Sequence, residues 1–263
     1  MKTTTLQLIR NATVLFNYGG FRFLIDPMLA TPGAYPALPG TPHAHLRNPL
    51  TSLPVPVTAL TDPDAIVVTH LHPDHWDKAA MELLPKDKPV YAQNDNDADN
   101  IRAAGFTAVQ VFGDTAIGAV RLRKMPGQHG SDEAYADPQM AAVLGAAAGL
   151  YFSLPGAPSV YFVGDTIWID AVAENLQQLQ PDIVVLNAGE ARLDAFGPII
   201  MGQEDVLRVH RLLPRARIVA IHMEALNHCV LSRESLRAYV TAHGMDAHVF
   251  IPADGEILDF SVE

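Results

Sequence analysis

Three imidazoles and a carboxylate crowd six residues of this chain, His70-Leu71-His72-Pro73-Asp74-His75. The apolar run Ile66-Val67-Val68 leads into them through Thr69. Neutral imidazole and carboxylate are the groups that hold first-row divalent metal ions. Two residues apart in extended chain, His70 and His72 point to one side. Pro73 then imposes a turn that can carry Asp74 and His75 to a second point close by. One short loop can therefore serve two adjacent metals. A solvated polar loop is the plain alternative, and it gives no reason for four such groups to gather.

More candidate ligands follow other apolar strands: His129 after the strand ending at Met125, Asp165 after Val160-Val163, and His222 after Ile218-Ile221. A rigid sheet fixes a site well when the ligands sit at its strand ends. Five imidazoles and two carboxylates suit two metals, each with three protein ligands, a shared carboxylate and a shared solvent. That arrangement keeps the open position that catalysis at a metal requires.

The elements that must position these groups can be read from the pattern. Leu6-Ile9, Ala12-Tyr18 and Phe21-Ile25 read as strands, with Gly19-Gly20 as a hairpin turn. From Ile66 on, strands and helices alternate. Asp77 caps a helix stopped by Pro85, and a second helix runs from Asp95 to Ala104 before Gly105. The carboxylate-rich Asn94-Asp99 lacks the spacing of a calcium loop and reads as that helix's start. Strands are expected near Val109-Phe112, Ala119-Met125, Leu150-Leu154, Val160-Val163, Ile183-Leu186, Ile218-Ile221, Val249 and Ile257. Three further helices are expected: one carrying Val172 and Leu176, one Val206 and Val209, and one capped by Ser232. Residues 31–56 differ in texture, with seven prolines and no helical period. A long irregular stretch of this kind is expected to be a lid or binding loop. No repeat or linker interrupts residues 1–263, so one domain is expected.

At 263 residues, 49% hydrophobic and 18% charged, the composition is that of a globular protein able to bury a full core. A net charge of −11 argues against nucleic acid as a partner, which needs a basic face. It leaves room for a small-molecule substrate, anionic ones included, because bound metals reverse the local sign. The single cysteine, Cys229, fits a reducing compartment. The start Met1-Lys2-Thr3-Thr4-Thr5 lacks a leader's apolar core, and the longest apolar stretch, Ala141-Phe152, is too short to span a bilayer. A cytoplasmic protein without a stable membrane anchor is expected, and association into a homo-oligomer is compatible with the sequence.

His70-Leu71-His72-Pro73-Asp74-His75 resembles the HxHxDH signature of the metallo-β-lactamase fold superfamily. Gln128-His129-Gly130, Gly164-Asp165-Thr166 and Ile221-His222 follow in that superfamily's order, and Asp26 is similar to its first motif. The resemblance covers nearly the whole chain. It implies an α/β fold, a four-layer αββα sandwich with metals at one edge of two sheets. By position it assigns His70, His72 and His129 to one metal, Asp74, His75 and His222 to a second, and Asp165 as the bridge. Two divalent ions are implied, zinc first, with manganese, iron or nickel as alternatives. The activity implied is a dinuclear hydrolase that attacks a small ester, lactone or phosphodiester, through a metal-bridging hydroxide, with Asp74 and Asp165 catalytic. Ile25-Asp26-Pro27 and Gly164-Asp165-Thr166 look most like the ascorbate-phosphate lactonase-like branch, which is similar to N-acylphosphatidylethanolamine phospholipase D. A metal-binding sensor or scaffold without turnover is the rival reading.

Other residues carry weaker expectations. Glu224 could orient a metal-bound imidazole, and His228 could contact substrate. Trp76 and Trp168 follow ligand motifs closely and could wall a pocket. Arg47, in the proline-rich stretch, could meet an anion. Cys229 reads as a soft ligand or, more commonly, a small buried group.

Overall fold

The computed structural model describes residues 3–261; Met1 and Lys2, with which the stretch read for a leader begins, lie outside them. Strands β1 (Thr4–Arg10), β2 (Thr13–Tyr18) and β3 (Phe21–Ile25) form the expected meander. β4 (Ala65–Val68), α1 (Lys78–Leu83), β5 (Val90–Ala92), α2 (Asp95–Ala103) and β6 (Val109–Val111) follow. Then come β7 (Asp114–Ile117), β8 (Val120–Met125), α3 (Asp132–Ala136), α4 (Pro138–Leu144), β9 (Gly149–Ser153) and β10 (Val160–Phe162). α5 (Asp170–Leu179), β11 (Ile183–Asn187), the small hairpin β12 (Arg192–Leu193) and β13 (Gly197–Pro198), and α6 (Gln203–Leu212) continue the chain. It closes with β14 (Arg217–Ile221), α7 (Arg233–Ala242), β15 (Val249–Phe250) and β16 (Ile257–Asp259).

Two seven-stranded sheets result, ordered β16-β1-β2-β3-β4-β5-β6 and β15-β14-β11-β10-β9-β8-β7. Side-chain alternation explains why they stack. Val160 and Phe162 of β10, Ile183 and Val185 of β11, and Val219 of β14 face inward, onto Phe16, Phe23 and Val67 of the first sheet. Their neighbours Tyr161, Val184, Leu186, Ile218 and Ala220 face outward, under α5, α6 and α7. On the other side, Leu24, Ile66, Val68 and Val90 pack beneath Ala80 of α1 and Ile101 of α2. Strands covered on both faces must be apolar on both, which is why they read as continuous runs. The four-layer αββα sandwich that the resemblance implies is the fold observed.

Strand direction places the chemistry. β1 and β3 are both antiparallel to β2, and β4 is parallel to β3. In the second sheet β8 and β10 both run antiparallel to β9, while β11 and β14 run parallel to β10. Within each sheet the strands that end in candidate site residues therefore run the same way. Their C-terminal ends form one edge.

The elements missing from the sequence reading are β7, α3, α4 and the β12/β13 hairpin. The two helices are short, but each carries a cap: Ser131 accepts from Ala134 N–H, and Asp137, before Pro138, accepts from Gln139 and Met140 N–H. Residues 31–56 hold no helix or strand beyond the isolated Tyr35–Asn48 bridge. The stretch is nevertheless tied down near its two ends. The buried Arg10 guanidinium donates to Met28 O at 2.7 Å, Ala30 O at 2.9 Å and Thr51 O at 2.8 Å. Among the described residues no helix is long and apolar enough to cross a membrane.

Candidate metal centre

β4 ends at Val68, and the next residue, Thr69, begins the site. Asp26, just past β3, accepts from Thr69 N–H at 2.7 Å, from Thr69 Oγ1 at 2.7 Å and from His75 Nδ1 at 2.8 Å. Asp26 is therefore not a ligand; it ties the histidine loop to the first sheet. Its own backbone is left-handed, with φ 46°. His222, just past β14, is also left-handed at φ 66°, and its N–H is held by Asn11 O at 3.0 Å. Such conformations are uncommon outside glycine and persist where the surroundings over-determine them.

The seven sequence-predicted ligands converge as two groups, His70-His72-His129 and Asp74-His75-Asp165-His222, with the ligand atoms of each group within 4.8 Å of one another. Asp165 touches both. Its Oδ2 lies 3.9 Å from His70 Nε2, 3.6 Å from His129 Nε2 and 3.2 Å from His75 Nε2, and its Oδ1 lies 3.7 Å from His222 Nε2. The inward atoms crowd one another: His70 Nε2 is 3.0 Å from His72 Nδ1, and His75 Nε2 is 3.3 Å from His222 Nε2.

Each imidazole turns its other nitrogen outward onto a fixed partner. His70 Nδ1 meets Thr69 Oγ1 at 3.1 Å, His72 Nε2 meets Val143 O at 2.8 Å, and His129 Nδ1 meets Ile199 O at 2.9 Å. His75 has Asp26, and His222 Nδ1 lies 3.5 Å from Cys229 Sγ. Outward N–H donation fixes the tautomer and leaves an inward lone pair, which is what metal ligation needs.

The electrostatics agree. Burial pushes His70 well below its ordinary range, with His75 and His72 adding to the effect, and burial holds His129 down at about 4. Burial acts against charge at His75 too, but Asp165, Asp74 and Asp26 outweigh it and raise its pKa. His222 is raised likewise, burial being overcome by Asp165 and Cys229. Burial would lift Asp74 and Asp165, yet both are held well below the usual carboxylate range, above all by His75. Burial thus favours neutral rings at His70 and His129, while the other group favours positive charge at its centre. The donor set thus fits divalent cations.

Two contributors were absent from the sequence reading. Asn187, the last residue of β11, donates through Nδ2 to Asp165 Oδ1 at 2.6 Å. Asn11, left-handed at φ 57°, places Nδ2 3.2 Å from Asp74 Oδ2. Cys229, read from the sequence as a soft ligand or a small buried group, packs against two apolar clusters with its Sγ beside His222. A polar residue at the end of an apolar strand was the available signal for Asn187; it was the same signal that found Asp165.

A cavity of about 690 Å³ opens over the centre, with His72, Asp74, His129 and Asp165 in its lining. The proline-rich stretch supplies Tyr35 to Pro39 and Asn48 to its wall, and His228 lines it too. Trp76 reaches the wall although it is only 2% exposed and packs on Phe106. Other expected contacts lie elsewhere. Trp168 packs against the outer core of the second sheet, under Arg208 at 5.7 Å, because its loop turns into α5. Arg47 is exposed and spends its guanidinium on Gly33 O and Ala34 O. Glu224 does not reach His222; it accepts from Arg233 N–H at 2.8 Å and from its guanidinium at 2.6 Å.

Comparison with known proteins follows the same lines. The family model described as a beta-lactamase superfamily domain matches residues 21–223. UPF0173 protein YddR of Bacillus subtilis (strain 168) is 41% identical over 254 residues, covering 96% of this chain and 98% of the relative. A solved isothiocyanate hydrolase from Delia radicum gut bacteria superposes with a TM-score of 0.96 at 47% identity, covering 98% of this chain and all of the other. A possible metal-dependent hydrolase from Veillonella parvula DSM 2008 gives 0.95 at 37% identity, over 97% and 99%. These likenesses speak to the superfamily and not to its lactonase-like branch. With the motifs in order, the ligands gathered at one sheet edge and relatives matching from end to end, the chain belongs to the beta-lactamase superfamily and has the metallo-β-lactamase fold.

Proposed function

We propose that the chain is a hydrolase working with two divalent metal ions on a small, largely apolar molecule attacked at carbon. One observation carries this reading: the ligand cluster forms the floor of a cavity whose walls are mostly apolar, among them Met28, Leu71, Met81, Leu144, Ile199 and Leu226. Beside its imidazoles the lining offers one lysine and no arginine; that lysine, Lys78, is exposed and lies 3.6 Å from Glu82. A phosphodiester or a sugar-acid lactone would need hydrogen-bond donors along its flanks, and the wall has few. An isothiocyanate, R–N=C=S, is uncharged, has no N–H or O–H, and carries its electrophilic carbon at one end of an apolar body. The 47% identical isothiocyanate hydrolase supports that substrate class. A lactone with an apolar tail is the second reading, since the same wall accepts it and attack is again at carbon.

His70, His72 and His129 would hold one ion, Asp74, His75 and His222 the other, and Asp165 both. Bound there, zinc, or manganese, iron or nickel in its place, would bring water's pKa to about 7 and polarise the substrate's electrophilic group. The chain supplies the rest. Asn187 keeps Asp165 from rotating. Asp74, held by Asn11 yet 17% exposed on the cavity floor, is placed to accept a hydrogen bond from the attacking water and so orient it. The apolar wall keeps bulk water from the reacting carbon. A cytoplasmic setting belongs to the same proposal.

The test compares benzyl isothiocyanate, an alkyl lactone and an aryl phosphodiester on metal-loaded protein and its Asp165→Ala variant. Isothiocyanate loss with amine release, faster than lactone opening and dependent on Asp165, is the expected result. Metal uptake with no turnover of any of the three would favour a sensor or scaffold instead.

A further inference from the structure

His228 stands outside both ligand groups but lines the cavity, on the loop that follows β14. The position of its proton is set by a chain of hydrogen bonds whose polarity is fixed. Pro42 O can only accept, so the group 2.6 Å from it is Asn227 Nδ2, which also donates to Thr41 Oγ1 at 3.0 Å. Asn227 Oδ1 therefore faces Asn48 Nδ2, at 2.7 Å. Asn48 is oriented in turn, because the backbone N–H of Asn227 donates to its Oδ1 at 2.9 Å. Asn227 Oδ1 is an acceptor, and His228 Nδ1, 3.3 Å away, must carry the hydrogen. Nε2 keeps its lone pair, and among the described residues no donor meets it. Burial, against the pull of Asp74, lowers this imidazole's pKa and so favours the neutral ring.

We propose that His228 Nε2 is the proton relay between the attacking water and the heteroatom that leaves the substrate carbon. The proposal rests on the hydrolase reading above. For an isothiocyanate, the water oxygen bonds to the central carbon as the C=N π pair moves onto nitrogen. Nε2 takes one water proton and delivers it to that nitrogen, which gives the thiocarbamic acid R–NH–C(=S)–OH. The remaining acidic proton then passes through Nε2 to nitrogen as the C–N bond breaks and its electron pair stays on nitrogen. Amine and carbonyl sulfide leave; one water is consumed, nothing is oxidised, and His228 ends neutral as it began. A relay of this kind is worth about 10²–10⁴-fold in rate.

Two measurements test it. Side-chain 15N NMR of the zinc-loaded protein, with His228→Gln identifying the resonance, should show the Nδ1–H tautomer; an Nε2–H tautomer or an imidazolium at neutral pH overturns the proposal. Kinetics use aryl isothiocyanates of graded amine basicity. His228→Gln should keep its metal content and melting temperature, change KM little, and lose about 10²–10⁴-fold in kcat. Its rate should also become steeply dependent on leaving-group basicity, which a packing role would not produce. An unchanged slope overturns the relay while leaving the isothiocyanate reading intact. If the wild type ignores isothiocyanates but cleaves aryl esters, the substrate reading falls and the same slope on phenol leaving groups decides His228. Turnover of neither class overturns both.

Discussion

An imidazole becomes a good ligand when its outer nitrogen has something to hold, and His75 shows the cost of arranging that. Its partner Asp26 is buried in a left-handed conformation and accepts three hydrogen bonds. Asp26→Ala would free the His75 ring, strand the Thr69 donors and leave all seven candidate ligands chemically intact. Losses of such outer partners usually cost about 10–100-fold in metal affinity or activity. On the proposed two-metal reading, competition with a chromophoric chelator should show weakening in that range for one of the two ions. Unchanged affinity for both would remove Asp26 from its positioning role.

At the scale of the element, the site is the shared C-terminal edge of β1, β3 and β4 and of β8, β10, β11 and β14, and the turns leaving them are held tightly. Gly164 joins β10 to Asp165 with φ 77°, and a Cβ there would lie 2.7 Å from Ala148 O. Gly164→Ala should cost on the order of 1–3 kcal/mol in chemical denaturation, and activity should fall more than stability because Asp165 shifts with its turn. The wall of the cavity depends on Arg10, whose guanidinium binds the carbonyls of Met28, Ala30 and Thr51. Arg10→Met leaves those buried carbonyls without donors, so about 3 kcal/mol of stability should be lost. Metal content should hold while KM for an apolar substrate rises; a fall in metal content instead would place Arg10's effect in the centre. These features mark the limit of what the sequence discloses. His70 to His75, His129, Asp165 and His222 were legible because their types are rare together and each follows an apolar strand. Arg10, Asn187 and Asn11 are common residue types whose roles exist only once distant strands are paired. Glu224 and Trp168 misled because nearness in sequence to a ligand says nothing about which way a turn sends the side chain.

Across the whole molecule, buried groups divide into those that want positive charge nearby and those that must stay neutral. The Asp74 and Asp165 carboxylates belong to the first kind, so removing bound metal should lower the melting temperature and returning it should restore the loss, as mass action requires for a ligand of the native state. Tyr18 and Tyr161 belong to the second. Both are fully buried in or against the cores flanking the second sheet. Tyr18 donates to Pro158 O at 2.9 Å, whereas the Tyr161 hydroxyl has no partner among the described residues. Burial raises the pKa of each, and nearby Tyr151 and Asp182 raise Tyr18 further. A folded pKa above the unfolded value, about 10 for tyrosine, means that unfolding releases protons in alkali. The stabilising contribution is complete below that value and is lost as pH rises through the folded pKa. Metal-loaded protein should therefore hold its stability up to about pH 10 and then unfold steeply, with tyrosinate absorbance from these two rings appearing together with the loss of circular dichroism. Replacing both by phenylalanine should shift that alkaline transition upward without moving the neutral-pH activity. Tyrosinate signal from all the tyrosines well before unfolding would show instead that the two hydroxyls are reached by solvent in the native fold.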